Sequence, residues 1–127
     1  MLTILKTPTY IKQFEFEIDA ANSEIIITSE KGQAFKYKLP ALKDLFFWLK
    51  VTKSGQSILL GSRDEQVVPP IDTVEEWARS SNNPNGGYYG LTTGYRGRFA
   101  TFIPPILEHL GFAELTHLPK NNTIRAL

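Results

Sequence analysis

The chain has 127 residues, 42% hydrophobic and 21% charged, and its 14 basic and 13 acidic residues leave a net charge of +1. These values predict one globular domain, residues 1–127, with a hydrophobic core of its own, and they exclude a disordered polyelectrolyte. The absence of cysteine excludes disulfides, thiolate catalysis and cysteine zinc sites, and it fits a reducing, cytoplasmic setting.

Met1 to Tyr10 holds no sustained apolar run, so neither a signal peptide nor a membrane span is expected there. From Gln13 to Asp19, Phe14, Phe16 and Ile18 alternate with polar residues, the period of a strand with one buried face. Ala20 to Ser23 supplies a turn, and Glu24 to Thr28, with three consecutive isoleucines, predicts a central strand. Lys31-Gly32 closes a hairpin, and Gln33 to Leu39 alternates again through Phe35, Tyr37 and Leu39. Lys36 and Lys38 are then able to face Glu15, Glu17 or Glu24 across the sheet. Pro40 opens a helix in which Leu42, Leu45, Phe46 and Leu49 share one face.

Ser57 to Leu60 predicts a short strand, and Gly61 to Pro70 a polar connection between 1–66 and 67–127. Thr73 and Glu76 have the spacing of a capping box, so a helix is expected from about Val74 to Ser80. A loop rich in glycine and tyrosine precedes an apolar helical segment from Phe99 to Leu110, interrupted by Pro104-Pro105 and closed by Gly111. Strands at Phe112 to His117 and Thr123 to Leu127 flank a turn at 119–122. The expected fold is α+β: an N-terminal three-stranded antiparallel meander plus helix, then a helix-loop-helix-hairpin.

Over residues 70 to 127 this order resembles the C-terminal half of a winged helix-turn-helix domain. The resemblance implies that the second helix, within Arg96–Leu110, reads a DNA groove. It also implies that the hairpin carrying Lys120, Asn121, Asn122 and Arg125 touches the backbone as a wing.

The loop Gly86-Gly87-Tyr88-Tyr89-Gly90 and Gly94-Tyr95-Arg96-Gly97-Arg98 is the most distinctive stretch. Gly94 and Gly97 bracket two residues in a pattern similar to the GxxG loop with which KH domains clamp a nucleic-acid backbone. Glycines let amides approach phosphate, Arg96 and Arg98 add charge, and Tyr88, Tyr89 and Tyr95 offer rings to unpaired bases. The alternative is structural: the tyrosines pin the loop to the core, and the arginines pair with Asp64, Glu65 or Glu76.

No enzymatic motif stands out, and no catalytic residue, cofactor or metal ligand is assigned. His109 and His117 lack a metal-ligand spacing, and no P-loop, GxGxxG or GxSxG occurs. Asp64, Glu65, Asp72, Glu75 and Glu76 could gather a divalent cation, although helix capping also accounts for the last three. The leading expectation is a small non-enzymatic nucleic-acid-binding or regulatory module using Arg96, Arg98, Tyr88, Tyr89, Tyr95, Lys120, Asn121 and Arg125. The alternatives are a protein-interaction domain, through a partner or self-association, and a metal-dependent hydrolase or nuclease built on the acidic stretch.

Overall fold

Alternation of apolar residues sets the register of the first sheet. In the computed structural model, which describes residues 2–127, β2 (Gln13–Asp19), β3 (Glu24–Ser29) and β4 (Ala34–Lys38) form an antiparallel meander. Phe16 lies opposite Ile27 and Ile27 opposite Phe35, so Phe14, Phe16, Ile25, Ile27, Phe35 and Tyr37 are buried together. On the outer face Lys36 reaches Glu24 at 3.4 Å. A further strand, β1 (Thr3–Lys6), pairs with β2, so the sheet has four strands in the order β1-β2-β3-β4 rather than three. Four residues are too few for an alternation to stand out in the sequence, and pairing alone defines them.

The predicted helix after Pro40 is α1 (Ala41–Phe47), continued by a π-helical turn at Trp48–Thr52. Leu45 and Leu49 are fully buried from its apolar stripe. β5 (Ile58–Leu59), α2 (Val74–Arg79), α3 (Phe99–His109), β6 (Ala113–Leu115) and β7 (Thr123–Ala126) follow, and the second sheet has the order β5-β7-β6. Thr73 caps α2 by accepting the Glu76 amide at 3.3 Å. The Glu76 carboxylate in turn accepts the amide of Asp72 rather than that of Thr73, one residue off the capping box. Pro104 and Pro105 lie inside α3 and are buried; they withhold amides from the carbonyls of Ala100 and Thr101 without ending the helix. Gly111, at φ 87°, supplies the left-handed residue that terminates it.

α3 is the axis of the fold. Eight of its eleven residues are buried, so it presents no broad face to a ligand. Phe102 meets Phe14 and Phe35 of the first sheet, both at 5.1 Å between ring centroids. Phe99 meets Tyr37, Trp77 and Tyr89, and α1, α2 and β6 also pack against the helix. Each such aromatic or aliphatic burial contributes roughly 1.5–3 kcal/mol. The expected reading helix of a DNA-binding domain is therefore covered by the chain's own N-terminal sheet. Among the described residues, no helix is long and apolar enough to cross a membrane.

The loop between α2 and α3 is tied down along its length. Asn83 accepts the amides of Asn85, Gly86 and Gly87 and donates to the carbonyl of Trp77. Residues 89–92 then run beside the free edge of β4: Lys38 donates its amide to Tyr89, and Leu91 donates to Lys36. Covering that edge removes a template for unwanted strand pairing.

One buried ion pair connects α2 to everything that follows. The Glu75 carboxylate is fully buried, accepts the Ala100 amide at 2.9 Å at the start of α3, and pairs with Arg79 at 3.1 Å. Burial pushes its carboxyl upward from the usual range, while the Ala100 amide and Arg79 pull it back. The Arg79 guanidinium also donates to the carbonyls of Arg63, Asp64 and Val67 at 2.6, 2.9 and 2.8 Å. Arg79→Met leaves Glu75 buried without its partner and is expected to cost about 3–5 kcal/mol in urea unfolding. A loss below about 1 kcal/mol would show that the pair does not hold the fold.

Candidate nucleic-acid interface

The segment held by Arg79 forms one wall of a cleft, and the loop from Thr7 to Lys12 forms the other. Two adjoining pockets of about 450 and 580 Å³ share Thr7, Lys12, Arg98 and Thr101. The smaller is basic. Lys12, Arg63, Arg98 and Lys120 line it, with hydroxyls from Ser62 and Thr101 and the amide of Asn121, and none of its lining residues is acidic. The larger mixes Lys12, Lys31 and Arg98 with Glu30, Asp64 and Glu65 around an aromatic floor.

Four separate segments bring the cations of the basic pocket together. Arg98 precedes α3 in the left-handed conformation, at φ 55°, with its amide bonded to the carbonyl of Arg63. Ser62 and Thr101 bond through their hydroxyls at 2.6 Å, joining the Arg63 segment to the first turn of α3. Lys120 and Asn121 come from the tip of the β6–β7 hairpin, where Asn121 is also left-handed, at φ 59°. His117 anchors the Lys12 loop: its Nδ1 lies 2.9 Å from the Pro8 carbonyl oxygen, its Nε2 lies 3.0 Å from Glu108, and Tyr10 stacks on the ring.

The basic pocket thus unites Arg98, Lys120 and Asn121, three of the residues singled out from sequence, and adds Lys12 and Arg63. No local pattern distinguishes Lys12 or Arg63; only the fold brings them to the cleft. The other candidates are elsewhere or engaged. Tyr89 is 1% exposed and donates its hydroxyl to Asp44 at 2.8 Å, so its ring is core and cannot stack on a base. Tyr88 is half-buried, with the Arg79 and Arg96 guanidinium groups 5.7 and 4.7 Å from its ring centroid. Arg125 pairs with Glu114 at 3.1 Å on the second sheet, away from the cleft. Tyr95 is 47% exposed at the larger pocket.

The Gly94–Gly97 loop clamps an anion, but the anion is the chain's own Glu65. Its carboxylate accepts the amides of Gly94 and Arg96 at 3.2 and 2.8 Å and the Arg96 guanidinium at 2.8 and 3.3 Å. A Cβ at Gly97 would collide with the backbone of Asp64 and Glu65, so that glycine serves close packing rather than access for phosphate. The alternative pairing expected from sequence occurs at both arginines, Arg96 with Glu65 and Arg98 with Asp64. Arg98 differs: it pairs with Asp64, yet both side chains remain more than half exposed, at 56% and 54%. The remaining acids are spread out, and no group of three or more His, Asp or Glu able to hold a metal lies among the described residues.

A family model described as a family of unknown function (DUF6855) matches residues 2–127. No curated protein and no solved structure matches the chain.

The Glu65 clamp gives the fold a defined acid sensitivity. The Arg96 guanidinium, and after it the loop amides, lower the Glu65 carboxyl from its ordinary 4.5 to about 2. A lowered value in the folded state stabilises it fully above the ordinary value and ceases to do so as pH falls through the folded one. Glu65→Gln should therefore melt below the parent near neutral pH, and the two melting temperatures should converge between about pH 4.5 and 2. A gap that stays constant through that window would show that the carboxylate charge is not what the loop uses.

Proposed function

Because the chain belongs to the DUF6855 family, to which no activity is attached, we propose from its own geometry that it is a non-enzymatic nucleic-acid-binding module. The phosphate backbone lies in the basic pocket, between the start of α3 and the tip of the β6–β7 hairpin. One observation carries this reading: Lys12, Arg63, Arg98 and Lys120, all exposed, converge from four segments on a pocket with no acidic lining. The protein's net charge of only +1 makes such a concentration of cations informative.

The Arg98 backbone supports the same reading. A non-glycine residue in the left-handed region costs roughly 1 kcal/mol, and such strain gathers at functional sites. Glycine would relax that backbone, whereas the guanidinium supplies a phosphate contact. Asp64 competes for that guanidinium only weakly, since an exposed ion pair contributes about 0–1 kcal/mol.

The order of α1, β5, α2, α3, β6 and β7, with sheet order β5-β7-β6, also supports the likeness to a winged helix-turn-helix domain. In this reading contact falls to the wing and to the residues before α3, because α3 itself is covered. A protein-interaction domain remains the second reading. It is favoured by Val68 and Ile71, 87% and 76% exposed on either side of Pro69-Pro70. A mass in solution that rises with concentration would support it.

Fluorescence anisotropy with a labelled single-stranded oligonucleotide tests the proposal. Affinity should fall as salt rises, and Arg63→Ala or Lys120→Ala should each flatten the log–log slope by about 0.7. Arg98→Gly should weaken binding while leaving the melting temperature equal or higher. Binding that ignores salt, or is unchanged in all three variants, would overturn the proposal.

A further inference from the structure

The larger pocket has a different chemistry from its basic neighbour. Phe35 and Phe102 form its floor, and Tyr95 lies nearly parallel to Phe35, at 12° and 6.1 Å between centroids. Tyr95 is half exposed, so part of its ring surface still faces water. Gln13 and Gln33 stand at the rim, and their side-chain amides make no hydrogen bond among the described residues. At about 580 Å³ the pocket lies within the range of small-molecule sites. It opens into the basic pocket through Lys12 and Arg98, which line both.

An aromatic floor, amide groups at the rim and a cationic doorway match the three parts of one nucleotide: a planar ring, its polar edge and its phosphate. We infer that this pocket receives one unpaired base of a single-stranded nucleic acid, with Tyr95 as its stacking platform. The inference rests on the proposal that the backbone occupies the basic pocket. A base within a duplex is already stacked and paired, and the pocket is a recess in the surface rather than a projecting element that enters a groove. Stacking needs only a π-face, which every base has, so the platform alone accepts any base. Choice among bases would fall to Gln13 and Gln33, whose amides carry both donors and acceptors.

The experiment compares an intact single-stranded oligonucleotide with an abasic strand of equal length and charge, using the full chain and its Tyr95→Ala and Tyr95→Phe variants. The intact strand should bind roughly 5- to 150-fold more tightly than the abasic one. Tyr95→Ala should reduce the intact strand to the abasic level without changing abasic binding, and Tyr95→Phe should keep the difference. Melting temperatures of the variants equal to the parent would show that the loss is not unfolding. Equal, salt-dependent binding of both strands would overturn the base pocket and leave the phosphate proposal standing. Failure of both strands to bind would overturn both, and a duplex bound as tightly as the single strand would overturn the inference alone.

Discussion

Two charges withdrawn from water, Glu75 and Arg79, hold together the elements on which the cleft depends. Removing a carboxylate and a guanidinium from solvent costs several kcal/mol each, and the cost is offset only where every remaining lone pair and proton has a partner. Here each Glu75 carboxylate oxygen and each Arg79 guanidinium nitrogen has at least one partner. Glu75 binds the first turn of α3 through the Ala100 amide, and Arg79 binds the carbonyls of the 63–67 segment. A pair satisfied in only one arrangement specifies that arrangement. It sets where Arg63 and Arg98 stand relative to each other, because one carries the first of the bound carbonyls and the other precedes the bound amide by two residues.

The same region separates arginines that build from an arginine left accessible. Arg79 and Arg96 are consumed by the fold: one sews a loop to α2, and the other, with two amides, grips Glu65. Arg98 keeps an exposed guanidinium on a left-handed backbone where glycine would be easier. The chain thus holds its internal anion tightly at Glu65 and loosely at Asp64. That difference follows from chelation: Glu65 receives amides and a guanidinium at once, and Asp64 receives one exposed side chain.

The N-terminal sheet changes what the C-terminal half can do. A helix, a loop and a longer helix leading into a hairpin suggest from sequence a reading helix set against DNA. The sheet lays Phe14 and Phe35 against Phe102, in the middle of that helix. Burying those rings stabilises the fold and removes the surface a groove-reading helix would need. α3 keeps accessible residues only at Thr101 and at its C-terminal end, Glu108 and His109; the cleft lies at the helix start, beside the Lys12 loop and the hairpin tip, and there the surface is concave rather than protruding.

Features set by neighbours along the chain were legible in the residues. Alternation through Phe14–Ile18 and Phe35–Leu39 and the stripe Leu42–Leu49 identified strands and a helix, because those periods are local properties of the backbone. Thr73 and Gly111 likewise marked a start and a stop through bonds spanning only a few residues. Features set by distant neighbours were not legible. Tyr88, Tyr89 and Tyr95 look alike in sequence, yet one lies between arginines, one is core and one borders a pocket. β1 and the Lys12 contribution to the cleft arise from partners that the chain encounters only after folding. Local spacing determines which face an element buries, whereas only the packing of elements far apart in the chain decides which side chains share a cleft and which charges are already taken.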